Sequence, residues 1–306
     1  MRTFAWFLAL MAVALASIGL LAYPAWLLLH PHFNFAFHRI GTRIGMLTLL
    51  AGFLVLAPRL GLSDRRSLGY GAPRPRFIRE LLLGLGIGTG TMLLVVGLMI
   101  ALGLLGWNAK AGPGGSALGA SWLAGLVLGR LVSGLAVGFI EETFMRGAML
   151  TGIQREVGAV PAVLLTSIVY SATHFFASYH VAPDQVTAAS GRDLLVGTLH
   201  LFAQPAGIAD AYLCLAAVGI VLGCVRVITG NIAAGIGLHA GWVWVMLVTR
   251  GITTPVRDRP LSFLLSQFDG FVGWLVLAWT VVLGVALLRF YAARTRLSAL
   301  THPSDG

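Results

Sequence analysis

Two glutamates and an arginine interrupt apolar sequence near the middle of the chain. Glu141 and Glu142 follow the apolar run 135–140, and Arg146 comes four residues after Glu142. On a helix, Glu142 and Arg146 share one face and can pair, whereas Glu141 is rotated by about 100°. We therefore expect Arg146 to neutralise Glu142, which leaves Glu141 facing a different environment. The alternative for all three is a charge cluster at a helix end.

Two histidines further along the chain lie in equally apolar surroundings. His174 follows a predicted turn at Gly158 by 16 residues, and Glu141 precedes that turn by 17. At about 1.5 Å per residue, both lie about 25 Å from the turn, so an antiparallel hairpin places them at one depth. His239 sits among small residues in the run 235–242, where a neighbouring backbone can approach closely. The alternative for each histidine is a hydrogen bond that only holds helices together.

One carboxylate and two imidazoles on neighbouring helices suit hydrolysis. Glu141 can act as general base on a water that His174 orients, and His239 can stabilise the oxyanion formed at an amide carbonyl. The same three groups could instead bind a hydrolytic zinc ion. Because no His-Glu-x-x-His run occurs, we expect no metal and no other cofactor, and zinc stays the alternative.

The amino-acid composition indicates which class of protein carries these residues. Of the 306 residues, 58% are hydrophobic and 10% are charged, and the mean hydropathy is +0.87. Soluble domains carry about 25% charged residues, which excludes a soluble or disordered chain. The net charge of +10 then reflects loops beside membrane spans rather than nucleic-acid binding. We predict an all-α, polytopic transmembrane bundle in which residues 1–306 form a single membrane-embedded domain with a catalytic core at 120–250.

About eight segments are apolar enough to span a bilayer of ordinary thickness. They are 4–29, 40–57, 80–106, 121–142, 159–178, 209–228, 231–249 and 270–292.

Loop charges predict the orientation of these spans. The loop 58–79 carries six arginines and one acid, which predicts that it and both termini are cytoplasmic. The arginines at 250, 257 and 259 contradict this scheme, so the topology of 250–269 stays open. In 179–208, apolar residues recur at helical spacing and predict a short amphipathic helix, either a gate or a mere connector.

Three motifs in this order resemble one known family. They are Glu-Glu-x-x-x-Arg at 141–146, an aromatic residue four positions before His174, and Gly-Leu-His-Ala-Gly-Trp at 237–242. The chain resembles the CPBP family of intramembrane proteases, which includes the Ras-converting CAAX endopeptidases and bacterial members linked to bacteriocin processing or immunity. The resemblance covers about 120–250. It implies that Glu141 and His174 activate water, that His239 holds the oxyanion, and that Glu142 and Arg146 brace the site.

Two positions depart from the family pattern. Tyr170 stands where phenylalanine is usual, and Val243 stands where the family has asparagine or aspartate. The second change removes an oxyanion donor, a loss that typically costs about 100- to 1000-fold in rate. Trp242 or Trp244 could supply an indole N–H instead. Tyr170, Trp242 and Val243 are therefore expected to line the pocket or to help hold the oxyanion.

These features predict an intramembrane glutamic endopeptidase that cuts a membrane-associated or lipidated, CAAX-like peptide or protein. The alternative is a non-catalytic relative that acts as a membrane scaffold or immunity factor, which Val243 favours. A proton-coupled transporter is less favoured, since no inverted repeat is evident. The expected partners are a hydrophobic substrate and the lipid bilayer, with no nucleic acid. The excess of arginine over lysine indicates a bacterial inner (cytoplasmic) membrane.

Overall fold

The computed structural model describes residues 1–33, 35–108, 119–176 and 179–301, with side chains up to residue 296. Within these ranges the chain is almost entirely helical. The helices are α1 (Arg2–Leu29), α2 (Phe37–Leu56), α3 (Arg74–Ala101), α4 (Ala120–Glu142), α5 (Leu150–Val157), α6 (Ala159–Thr173), α7 (Ser190–Ala203), α8 (Ala209–Thr229), α9 (Ala233–Ile252) and α10 (Trp274–Thr301). Shorter elements are the π-helix Thr143–Met149, the 3₁₀ turns Pro183–Gln185, Pro205–Gly207 and Ser262–Leu264, and the strands β1 (Leu105–Trp107) and β2 (Thr253–Pro255).

The predicted polytopic helical membrane protein is confirmed. Six helical stretches in the described chain are long and apolar enough to cross a bilayer: α1, α2, α3, α8, residues 274–296 of α10, and the continuous run Ala120–Val157 from α4 to α5. The predicted spans at 159–178 and 231–249 correspond to α6 and α9. With 15 residues, α6 is a shorter apolar helix, and α9 carries the polar side chains of His239 and Arg250 within its 20 residues.

Close helix contacts fix the position of α9 at the centre of the bundle. Gly84 and Gly88 of α3 face the backbone of α9 so closely that a Cβ at either would collide with it. Gly237 of α9 faces the backbone of α3 in the same way. Small residues four apart permit such approach between membrane helices. Gly134 and Gly138 of α4 also approach the α9 backbone closely, so α3 and α4 both hold α9, the helix that carries His239.

The chain turns between α5 and α6 at Gly158, where the sequence predicted the turn. Gly158 has φ +87°, a conformation that favours glycine. The preceding run is an α-helix up to Glu142 and a π-helix over Thr143–Met149. Single turns of π-helix occur often at functional sites. The hairpin of α4, α5 and α6 thereby carries Glu141, Glu142 and Arg146 on one arm and His174 at the end of the other.

Two segments whose structure was open from the sequence have defined conformations. The predicted helix within 179–208 is α7, which lies against α1 with Leu194 buried near Ala22 and Phe37. Within 250–269, β2 pairs antiparallel with β1, and Leu105 lies opposite Pro255. This pairing joins the C-terminal ends of α3 and α9.

Candidate active site

A buried ion pair forms the base of the site. Arg146 Nη1 donates to Glu142 Oε1 at 2.8 Å, and each side chain is 1% exposed. Arg146 Nη2 also donates to the carbonyl oxygen of Gly219 at 3.3 Å. The predicted pairing of Glu142 with Arg146 is therefore present, although Arg146 lies in a π-helix.

The same glutamate holds His239. Its Oε1 lies 3.0 Å from His239 Nδ1, so the imidazole N–H donates to the carboxylate and the ring orientation is fixed. His239 is 3% exposed. Gly235, one turn earlier in α9, leaves room for the carboxylate, since a Cβ there would lie 3.0 Å from Glu142 Oε2. Glu142 thus links Arg146 on one helix to His239 on another.

Glu141 occupies a different environment from its neighbour. Its side chain is 33% exposed, and Oε2 lies 3.8 Å from His239 Nε2. Oε2 is buried and accepts no hydrogen bond from the described part of the chain. A separation of 3.8 Å is too long for a direct hydrogen bond.

Tyr170 connects these groups to His174. Its hydroxyl lies 3.4 Å from His239 Nε2, and its ring lies under the Arg146 guanidinium, with Cζ 4.4 Å from the ring centroid. His174, just after the end of α6, has Nδ1 2.8 Å from the Tyr170 carbonyl oxygen. The N–H at Nδ1 therefore donates to this carbonyl, which leaves Nε2 of a neutral His174 as an acceptor.

His174 does not pair with Glu141 directly, although the two lie on the two arms of one hairpin. In the described chain, the ion pair of Glu141 within 4 Å is with His239. His174 instead contacts the edge of Tyr170, with ring centroids 4.6 Å apart. The described residues contain no group of three His, Cys, Asp or Glu side chains placed to hold a metal ion.

A cavity of about 320 Å³ opens beside the two histidines. Tyr170, His174 and His239 line it together with Trp242 and Val243. The remaining walls are mostly apolar and come from α3, α4, α8, α9, α10 and the segment before α10. Arg250 and Asp269 also line this cavity. The sequence analysis did not connect them with the site. Its only signal was that the positive charge of Arg250 disagrees with the orientation predicted from the loop charges.

Neither tryptophan near Val243 has a free indole N–H. Trp242 Nε1 donates to Thr91 Oγ1 at 3.1 Å, and Trp244 Nε1 donates to the carbonyl oxygen of Val127 at 2.9 Å. Val243, which carries no donor, lines the cavity one turn from His239. In this arrangement, the Tyr170 hydroxyl is the uncharged side-chain donor that lies next to His239 Nε2.

Comparison with known proteins gives a match to a protein family. Residues 123–245 match the model of a family described as type II CAAX prenyl endopeptidase Rce1-like. This match confirms the predicted resemblance to the CPBP and CAAX protease family. No curated protein and no solved structure gives a significant match to the chain. The Rce1-like segment contains Glu141, His174, His239 and Val243, and it begins and ends within α4 and α9.

Proposed function

We propose that this protein, a member of a family of CAAX-type intramembrane proteases, is a glutamic endopeptidase whose base is Glu141. The observation that carries the proposal is that His174 and His239, far apart in sequence, line one apolar cavity with Tyr170, and that Glu141 lies 3.8 Å from His239. Glu142 and Arg146 lie next to them as a buried ion pair. An apolar cavity at membrane depth suits a hydrophobic, membrane-associated peptide.

In the proposed reaction Glu141 takes a proton from a water held at its Oε2. The unpartnered Oε2 supports this assignment, since a general base must reach the proton that it removes. The water oxygen attacks the scissile carbonyl carbon, and the carbonyl electron pair moves onto oxygen. When the C–N bond breaks, Glu141 returns the proton to the leaving amine. The products are a carboxylic acid and a shorter amine, and transfer of the acid proton to the amine gives the carboxylate and the ammonium form.

His174 is assigned the second contact to this water. Its Nδ1 proton is engaged by the Tyr170 carbonyl, so Nε2 can accept a hydrogen bond from the water and orient its lone pair. His174 is half-buried at the cavity wall. It positions the nucleophile without having to remove the proton itself.

The oxyanion is assigned to His239 and Tyr170. When His239 is protonated, its Nδ1–H remains bonded to Glu142 and its Nε2–H can donate to the developing negative charge. The Tyr170 hydroxyl lies beside Nε2 and can donate to the same oxygen. Because both indole N–H groups have other acceptors, Tyr170 replaces the amide donor that Val243 lacks.

Val243 favours a second candidate, a non-catalytic relative that binds a hydrophobic peptide or membrane protein as a scaffold or immunity factor. Such a protein would keep the cavity and its buried ion pair but would not need Glu141. The two candidates therefore differ in what Glu141 does.

The deciding experiment is a digest of a labelled, hydrophobic peptide library by protein purified in detergent. We expect cleavage by the wild type and none by Glu141→Gln. Asp184→Asn, the same chemical change at an exposed position in a 3₁₀ turn, is the matched control and should cut normally. Library binding without cleavage, unchanged in Glu141→Gln, would establish the scaffold instead.

For the cellular setting, we propose a bacterial inner membrane with both termini in the cytoplasm. The arginine-rich segment between α2 and α3 supports this orientation. Cysteine labelling at Arg65→Cys by a membrane-impermeant reagent in intact cells should fail and should succeed after lysis. Labelling in intact cells would reverse the orientation.

A further inference from the structure

A small polar recess lies at the end of the bundle that carries the arginine-rich segment between α2 and α3. It forms where the first turns of α3, the last residue of α8 and the C-terminal part of α10 meet. The side chains that line it are those of Arg76, Glu80, Thr229, Tyr291, Arg294 and Thr295. Because these three helices are long and apolar enough to span a bilayer and begin or end here, the recess lies at the depth of the lipid headgroups.

Tyr291 lines this recess and carries a hydroxyl without a partner in the described chain. Its side chain is 1% exposed, and the hydroxyl makes no hydrogen bond there. The two threonine hydroxyls of the recess, in contrast, donate to backbone carbonyl oxygens of their own helices, Thr229 to Val225 at 2.8 Å and Thr295 to Tyr291 at 3.0 Å. Since buried polar groups are nearly always hydrogen-bonded, the Tyr291 hydroxyl is the donor that the recess offers to a ligand.

The charges around the recess favour an anion. Arg76 and Arg294 line it against one acid, Glu80. Glu80 is 7% exposed, and its Oε2 accepts a hydrogen bond from Arg294 Nη1 at 3.1 Å, so this acid is already neutralised. Arg76 is exposed and has neither an ion pair nor a hydrogen bond within the described chain. It lies in the first turn of α3, where the free backbone N–H groups and the helix dipole add positive potential.

The size of the recess limits which part of an anion can enter it. Its volume of about 10 Å³ is close to the minimum that holds one water molecule, so it accepts a single oxygen atom. A phosphate group can place one oxygen beside the Tyr291 hydroxyl and keep its other oxygens at the mouth, where the side chain of Arg76 is exposed. Basic pockets between spanning helices bind the headgroups of acidic lipids in this manner.

The surroundings of the recess favour a lipid over free phosphate, which shares the same chemistry. Ile78 and Leu82 lie on the same turns of α3 as the recess residues, and their side chains are 46% and 57% exposed. Phe290, next to Tyr291 in α10, is 42% exposed. These apolar side chains can contact acyl chains, whereas they contribute nothing to the binding of an inorganic ion.

We propose that this recess binds the phosphate of an anionic glycerophospholipid at the membrane surface. One phosphate oxygen accepts a hydrogen bond from the Tyr291 hydroxyl, and Arg76 neutralises the charge. The site is separate from the cavity beside His239, so the inference is independent of the proposed function. A lipid bound there connects α3 to α8 and α10, and because it binds the folded state it stabilises that state.

Binding is measured by native mass spectrometry on delipidated, full-length protein in detergent. The probes are dioleoylphosphatidylglycerol, dioleoylphosphatidylcholine, which has the same acyl chains but no net charge, and inorganic phosphate. The Kd for the first phosphatidylglycerol should be about 10- to 100-fold lower than for phosphatidylcholine, as expected for hydrogen bonds to a charged group. At about 100 times its Kd, phosphatidylglycerol should raise Tm by about 5 °C. Equal Kd values for the two lipids, or an equal rise in Tm with the same concentration of inorganic phosphate, would overturn the inference.

Two substitutions assign the binding to the recess. Tyr291→Phe removes only the unpartnered hydroxyl, so it should keep the wild-type Tm without lipid and raise the Kd for phosphatidylglycerol about 10-fold. Arg76→Gln should raise this Kd by a similar factor. Wild-type Kd values in both variants would place the lipid elsewhere and refute the site.

Arg74→Gln is the matched control for Arg76→Gln. Arg74 is exposed at the same helix end, but it is rotated by about 160° around α3 from Arg76 and does not line the recess. The control should therefore keep the wild-type Kd for phosphatidylglycerol. An equal loss of affinity in Arg74→Gln and Arg76→Gln would show a general attraction of the positive surface for acidic lipids, and the specific site would be wrong.

Discussion

The neighbouring glutamates provide the sharpest test of the site, because the same isosteric change should have opposite consequences at each. In Glu142→Gln, Oε1 can still accept a hydrogen bond, but the negative charge between Arg146 and His239 is lost. Arg146 then remains as a cation that is 1% exposed and has no counter-charge, and its described partners are the amide oxygen at position 142, the Gly219 carbonyl and the Tyr170 ring. Glu141→Gln also removes a negative charge, but from a side chain that is 33% exposed. Its Oε2 accepts no hydrogen bond from the described chain.

The magnitudes follow from burial. Removing one member of a buried ion pair costs about 3–5 kcal/mol, and the remaining partners of Arg146 favour the lower half of that range. A change at a partly exposed side chain without such a bond stays within about 0.5 kcal/mol. At about 2 °C per kcal/mol for a chain of this length, Glu142→Gln should lower Tm by about 6–8 °C. Glu141→Gln should shift it by about 1 °C or less.

Both quantities can be measured on the same detergent preparations. Thermal unfolding is followed by tryptophan fluorescence at a fixed scan rate, and peptide cleavage is followed at a temperature well below both transitions. We expect Glu141→Gln to be inactive with wild-type Tm, and Glu142→Gln to have a lowered Tm with residual cleavage. If the two variants lost Tm and activity equally, the division between base and structural support would be refuted.

Three further results are expected. Tyr170→Phe should lower kcat by about 100-fold with little change in KM, because it removes one oxyanion donor. In the double variant with Val243→Asn, the new amide should recover part of that loss. An unchanged kcat in Tyr170→Phe would show that Tyr170 does not bind the oxyanion. Protein purified without chelator should contain far less than one zinc per chain by elemental analysis, and stoichiometric zinc whose removal abolishes cleavage would contradict the metal-free mechanism. Gly237→Ala should destabilise the protein by about 1–3 kcal/mol, since its Cβ would meet the α3 backbone. Gly90→Ala is the control and should not destabilise it, because a Cβ there meets nothing within 4 Å. Equal Tm values for the two variants would show that α3 and α9 separate easily.

The features predicted correctly from sequence depend on neighbours along the chain. The pairing of Glu142 with Arg146 follows from helical spacing, and it survives in a π-helix because residues four apart remain close. The turn at Gly158 follows from a residue that tolerates positive φ. Helix α7 follows from apolar periodicity within 179–208. The membrane setting follows from composition, because about 20 apolar residues in succession have no other stable environment.

Features that join distant parts of the chain were decided by the tertiary structure. Residue spacing suggested that Glu141 and His174 lie at one depth, but depth does not specify how each helix is rotated about its axis. The structure turns Glu141 toward His239 and places the Tyr170 ring between His174 and Arg146. It also directs the Trp242 indole toward Thr91.

The cavity that contains both His239 and Arg250 has the same origin. Its walls come from six helices and the segment before α10, so no local pattern marks it. Glycines in α3, α4 and α9 set how closely those helices approach, and His239, Val243, Met246 and Arg250 of α9 line the cavity. The sequence identified the polar residues on each helix separately. Which of these residues face one another depends on how the helices are rotated and how far apart they lie, and only their packing determines both.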